Sequence, residues 1–385
     1  MGGFLDRVRA AMDEKEEISR YFAMPPADRP VTVYAEDDYT WNQLEGYVRE
    51  LVTTYGRQVA YVTSQEDDPL RTDPLAGVSV FHVDRLVREL LPRVDSSVFV
   101  TTMPDLDRYH VKRPARATCA YLFHSLNSTH MAYREGAFDA YDVLGVTGPY
   151  QEPELRARFE AIAKTDYTLA PVGYYKLDRI IDGFRAYEPA HPSQTTVLVA
   201  PSWGRHNLLA TCGEDLVSSL AAQGLRTVVR PHPAFFESIY PEGRSVVERL
   251  EQRFAGRDDV VFETSITSES SFYEAALMVS DWSGAAFEYA LGTERPVLFL
   301  DVPRKAFNPN WQSFGIVPLE ERLRDDVGRV LSSERVGEAG AIAAGLIEDR
   351  SAWTERTREV RRREVYNVGA SAAAGAALVD SLVSP

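Results

Sequence analysis

The stretch MVSDWSGAAFEYALGTERPVLFLD, residues 278–301, decides the fold. It starts as an apolar strand that ends at Ser280-Asp281. The small residues Ser283-Gly284-Ala285-Ala286 then open a helix, which Gly292 is suited to close, and Pro296 introduces a second apolar run. Strand, helix and strand in so short a span are the repeating unit of a parallel sheet.

Outward from that stretch the same alternation recurs. Upstream in the same block, strands are expected at Thr196–Ala200, Thr227–Arg230, Val260–Phe262 and Leu277–Val279, with a helix at Glu214–Gln223. An earlier block has strand-like runs at Val31–Tyr34, Val59–Val62, Val78–Val83, Val98–Thr101, Ala120–Phe123 and Val143–Val146, with helical patterns at Trp41–Tyr55 and Arg85–Leu91. Two blocks of alternating strands and helices predict an α/β protein with two Rossmann-like domains facing a central cleft. The Pro-containing stretch around residues 184–195 marks the hinge. The expected domains are residues 1–190, then 191–365, with a last helix over 366–385 that crosses back to the N-terminal domain.

Sheets of this kind bind ligands beyond the carboxyl ends of their strands, so the polar residues there are the candidates. A helix starting at small residues presents open backbone N–H groups, and its dipole favours negative charge. Ser283, Gly284 and Ala285 therefore suit a diphosphate, with Glu288 placed to accept from ribose hydroxyls. The competing reading is a Ser/Gly helix start packed tightly on a strand, with Glu288 solvated. In Arg230-Pro231-His232-Pro233 two prolines fix the backbone around His232, which can donate to a phosphate oxygen or protonate a leaving group; Arg230 adds a planar fork of donors. A satisfied structural histidine in a turn is the alternative. Ser202 and Arg205, in the loop after the first strand of the second block, are further phosphate candidates, although that loop lacks the GxGxxG spacing. Trp203 between them can equally be core.

In the first block His124 follows a strand and is the candidate general base, with His130 a weaker one. Asp105 and Asp107 are candidates for orienting a base. His124 and His130 alone do not make a metal site, which needs a third ligand, and none is expected.

The whole sequence sets the outer limits. At 385 residues it is long enough for two domains. Lys+Arg 42 against Asp+Glu 57 leaves a net charge of −15, which repels polyanions and argues against a nucleic-acid partner. Two cysteines, Cys119 and Cys212, exclude a disulfide scaffold and suit a reducing compartment. The charged N-terminus is no signal peptide, and no apolar run approaches the ~18 residues of a membrane span. A cytoplasmic protein is expected. The cluster Arg356, Arg358, Arg361, Arg362 and Arg363 is interspersed with glutamates, which predicts a solvated helix face with pairs such as Glu355–Arg358 and Glu359–Arg363.

Taken in order, VLVAPSWG (197–204), VVRPHP (228–233) and SDWSGAAFEYALGTERPVLFLD (280–301) resemble the nucleotide-binding half of the CDP-glycerol glycerophosphotransferases, enzymes of teichoic acid and capsule polymer synthesis. Upstream, VYAEDDYTW (33–41) and VAYVTSQEDDP (59–69) are similar to the first strand ends of related proteins. His124 falls where that family carries Trp-His-Gly, here flanked by Phe123 and Ser125. Residues 283, 284 and 288 also resemble the S-G-G-x-x-E of UDP-N-acetylglucosamine 2-epimerases, with Ala285 in place of the second glycine.

The resemblance implies a GT-B fold and a CDP-activated donor used as substrate, with no separate cofactor and no metal. It gives Ser283 and Gly284 the diphosphate, Glu288 the ribose, His232 the leaving group and His124 the acceptor proton. The acceptor implied is a glycan or lipid-linked chain, met by peripheral association at the inner face of the membrane. A GT-B glycosyltransferase and a non-catalytic nucleotide-binding protein are the two other readings.

Overall fold

β-Branched runs too short to be helices, and apolar on both faces, form strands that need cover on both sides. In the computed structural model, which describes residues 2–37, 39–109, 111–190, 195–264 and 269–383, they build two parallel sheets. The side chains of residues 2–8 are outside that description, as are residues 191–194 of the expected hinge.

Unit 1 comprises residues 1–124, 133–176 and 365–385. Its strands are β1 (Val31–Ala35), β2 (Val59–Thr63), β3 (Val78–His82), β4 (Val98–Thr101), β5 (Thr118–Leu122), β6 (Val143–Val146) and β7 (Thr168–Pro171), in the order β3-β2-β1-β4-β5-β6-β7. Every residue of β1, β2 and β4 is buried, whereas the edge strand β7 is half open. The sequence gives little sign of β7: Thr-Leu-Ala-Pro ends in a proline, which an edge strand tolerates because it needs no inner N–H donor. The C-terminal helix Ser371–Leu382 packs in this unit. Ala376 and Val379 enter its core, and a β-carbon at Gly375 would meet the Tyr47 ring at 2.4 Å.

Unit 2 comprises residues 125–132 and 177–364. Its strands are β8 (Thr196–Val199), β9 (Arg226–Val229), β10 (Val260–Phe262), β11 (Leu277–Ser280), β12 (Val297–Asp301) and β13 (Gly328–Ser332), in the order β10-β9-β8-β11-β12-β13. The strand β13, Gly-Arg-Val-Leu-Ser, is too mixed in polarity to be read from sequence. The helix expected from Glu214 begins six residues earlier, at Leu208, because the Asn207 side chain accepts from the Leu209 and Ala210 N–H groups. A break at Cys212 (φ −147°, ψ 20°) interrupts the periodicity that a sequence reading follows.

The arginine cluster differs from expectation. On the helix Arg350–Glu364, Glu355 does pair with Arg358, but Glu359 pairs with Arg362, and Arg363 bonds Asp326 and Glu364. Arg358 and Arg361 both reach Glu294 at 2.7 Å, and Arg361 also donates to the Leu291 carbonyl. These cations hold the C-terminal end of the helix Gly284–Thr293, where the helix dipole favours them. Burial opposes ionisation of Glu294, yet the two guanidinium groups bring its carboxyl below the usual range.

Candidate functional site

In unit 2 the strand order reverses between β8 and β11, which opens a crevice at their carboxyl ends. Asp281, the residue after β11, is buried there. Its Oδ1 accepts from the Ser202 N–H at 2.7 Å and its Oδ2 from the Leu208 N–H at 2.8 Å, so one carboxylate holds both ends of the loop after β8. Burial pushes the Asp281 carboxyl up, and the two backbone donors oppose that shift. Ser202 is itself buried under this clamp. Arg205, by contrast, lies on the surface and pairs with Glu242 at 3.3 Å. Gly204 between them has φ 108°, a conformation that requires glycine.

Two residues further on, Ser283 occupies the N-cap of the helix Gly284–Thr293 with extended backbone, yet its hydroxyl makes no capping bond. Serine at such a position ordinarily bonds an N–H of the first turn; here the Ala286 N–H donates to the Ser283 carbonyl at 3.2 Å and the hydroxyl takes no part. Gly284 is required by close approach: a β-carbon would lie 2.5 Å from the Asn127 amide oxygen. Ala285 is half-buried and Glu288 is 3% exposed, so the solvated alternative for Glu288 is excluded. Gly284→Ala is expected to destabilise the protein by roughly 1–2 kcal/mol, although Gly→Ala in an open helix gains about 1 kcal/mol. Thermal unfolding of Gly284→Ala, Asn127→Ala and the double variant checks this, because only a steric cause lets the second change relieve the first.

After β9, the His232 Nδ1 accepts from the Ala234 N–H at 3.1 Å. A ring nitrogen that accepts carries no proton, so the neutral imidazole has its proton on Nε2 and can donate from there. The Trp203 ring lies 6.2 Å from the imidazole, centroid to centroid. Arg230 turns to other partners: it donates to Ser271 Oγ at 2.8 Å, faces Glu263 at 3.9 Å and stacks on Phe272.

In unit 1 His124 follows β5. Its Nδ1 lies 2.9 Å from the Thr102 carbonyl, which can only accept, and 3.0 Å from the Tyr121 hydroxyl. The proton is therefore on Nδ1, and Nε2 is the basic nitrogen. The group that orients His124 is thus a backbone carbonyl from the end of β4. Asp105 and Asp107 are instead tied to Arg134 and Lys112 at 3.2 and 3.4 Å. Glu36 follows β1 at the switch point of this sheet and is exposed.

His130 is a packing residue. It is buried, its Nε2 donates to the Ile316 carbonyl at 3.2 Å, and its ring lies against Trp311 and Phe314. The segment 125–132 that carries it belongs to unit 2, where the Ser128 N–H also donates to Glu320 at 3.0 Å. Among the described residues no three His, Cys, Asp or Glu side chains converge to hold a metal ion, and no helix is long and apolar enough to cross a membrane.

Two residues escaped the sequence reading. Asp281 lay inside the deciding stretch, but its partners are more than seventy positions away. Lys305, in the loop after β12, stacks with its Nζ 4.1 Å from the Trp203 ring centre; nothing in its local sequence distinguishes it from a surface lysine.

No protein-family model matches this sequence, and no curated protein matches it. Solved structures do match. A variant of the wall teichoic acid polymerase TagF, soaked with CDPG, is similar over 98% of this chain and 95% of its own, with a TM-score of 0.62 at 13% identity. The UDP-GlcNAc 2-epimerase of Methanocaldococcus jannaschii, in complex with UDP-GlcNAc and UDP, is similar over 91% and 99%, with a TM-score of 0.58 at 9% identity. WaaG, a glycosyltransferase of lipopolysaccharide biosynthesis, is similar over 91% and 99%, with a TM-score of 0.51 at 13% identity. At these identities the likeness speaks for architecture, and the architecture of this chain, two α/β domains each on a parallel sheet, is that of the GT-B glycosyltransferases.

Proposed function

We propose that the chain is a transferase that moves a glycerol-phosphate or related polyol-phosphate unit from a CDP-activated donor to a hydroxyl acceptor in cell-wall or capsule polymer synthesis. The observation that carries this reading is the uncapped start of the helix at Ser283, beside a β8 loop held in place by Asp281. The likeness to TagF along nearly the whole chain supports it.

In this reaction His124 Nε2 takes the proton of the acceptor hydroxyl. The oxygen attacks the β-phosphorus of the donor, an O–P bond forms, and the bond between that phosphorus and the bridging oxygen breaks. CMP leaves, its growing charge met by the His232 Nε2–H and the N–H groups of the Gly284–Thr293 helix; such stabilisation is commonly the largest catalytic term, about 3–4 kcal/mol per key donor. Ser202 shapes the phosphate loop and Glu288 binds the ribose. Arg205 and Arg230 enter only if a donor draws them from their present partners. The reaction needs no cofactor beyond the donor. The acceptor is a glycan or lipid-linked chain, reached from the cytoplasm at the inner membrane face, and nucleic acid has no part.

A thermal-shift panel of CDP, CDP-glycerol, CDP-ribitol, UDP, UDP-GlcNAc and GDP tests the reading. A ligand at 100 times its Kd adds about 2.7 kcal/mol, hence a rise of several degrees. Cytidine diphosphates are expected to give that rise in the wild type and to lose most of it in Glu288→Gln. A rise confined to UDP and UDP-GlcNAc favours the second reading, glycosyl transfer, for which the likeness to the epimerase bound to UDP-GlcNAc speaks. The released nucleotide separates the two, CMP in one case and UDP in the other. No rise with any nucleotide overturns both.

A further inference from the structure

Three cations lie close together around the end of β12, and two are matched by acids. Arg304 pairs with Glu321 at 2.6 Å and stacks between Trp282 and Trp311. Arg324 pairs with Asp301 at 2.9 Å and lies 3.9 Å over Trp282. Lys305 is the exception: among the described residues its ammonium makes no hydrogen bond or ion pair. It is half-buried, laid over the Trp203 face with Phe307 behind it at 5.1 Å.

Trp203 belongs to the loop that Asp281 clamps, and its ring also faces His232. The unmatched cation is therefore fixed among the carboxyl ends of β8, β9, β11 and β12. A desolvated ammonium without a hydrogen-bond acceptor is costly unless an anion completes it.

We propose that Lys305 is a donor-binding residue, whose ammonium contacts the diphosphate of the activated donor from the loop after β12 while Trp203 fixes its position. This rests on the reading of the site given above and adds to it a residue and a source of pH control. Desolvation pulls the Lys305 ammonium down to about 7, with the Asp281 carboxylate partly offsetting it. The sign follows. Below pH 7 the side chain is charged and attracts the diphosphate; above it the free protein holds a neutral amine, and binding must first take up a proton. The charged and titratable groups around it are Asp281, His232 across the Trp203 ring, and Arg304, which is neutralised by Glu321.

CDP-glycerol and UDP-GlcNAc are suitable probes, because each phosphorus carries one ester and one anhydride bond and keeps a single charge from pH 6 to 9. Calorimetric titration of the wild type is expected to show affinity falling roughly tenfold between pH 6.5 and 8.5. At pH 6.5 Lys305→Met is expected to bind about 10–100-fold more weakly, the scale of a lost hydrogen bond to a charged group, with a flatter pH profile and a Tm no lower than wild type. Lys305→Arg keeps its charge throughout and is expected to restore affinity with the flat profile. Wild-type affinity in Lys305→Met, with the wild type binding normally, overturns the role of Lys305 and leaves the proposed function standing. Failure of the wild type to bind either probe overturns both.

Discussion

His124→Asn is expected to lower the rate of CMP release by a factor of roughly 10²–10⁴, the usual contribution of a general base, or about 2.7–5.5 kcal/mol in the barrier. Asparagine can still donate to the Thr102 carbonyl from its side-chain amide, so the loop around the residue keeps its anchor; what it lacks is the basic nitrogen that this carbonyl leaves at Nε2. The stabilisation given by CDP-glycerol is expected to stay as in wild type, because the elements proposed to bind the nucleotide belong to unit 2. Steady-state CMP release together with thermal shift makes the distinction. A rate within threefold of wild type would remove His124 from the chemistry.

The second large effect concerns stability. Asp281→Ala strands the Ser202 and Leu208 N–H groups in a buried place. Each orphaned donor costs about 1–3 kcal/mol. The desolvation of the carboxylate, which no longer has to be met, offsets part of that. A net loss of about 3 kcal/mol is expected, or roughly 6–12 °C in the melting of a domain this size. Asp281→Asn is expected to fare little better, since its amide group would turn an N–H toward one of the two N–H donors. A wild-type Tm in both variants would mean that the β8 loop does not depend on Asp281.

The contrast between these two residues indicates what a single sequence discloses. His124 and His232 are legible as candidates because each follows a strand, and strand ends in a parallel sheet are where polar residues converge. The alternation that reveals β1 to β6 and β8 to β12 comes from burial on both faces, a local property of each run. β7 and β13 escaped because sheet-edge positions relax that demand and admit proline, glycine and arginine. The role of Asp281 depends on a loop 73 to 79 positions earlier, and that of Lys305 on a tryptophan in the same loop. Neither carries a local mark. Glu288 is legible as a residue of the helix after β11, but its burial comes from tertiary packing that periodicity does not reveal.

The chain crosses between the units at 124/125, 132/133, 176/177 and 364/365, so the border is not a point at which the gene could be divided. Unit 2 includes eight residues encoded inside unit 1: Asn127 is shaped to the glycine that opens its helix, and His130 fills a place among its aromatic rings. Neither half is thus a self-contained module. Recombination that exchanged the C-terminal half for that of another protein would also have to exchange this insert, which ties the inheritance of unit 2 to that of the residue just before the insert, His124.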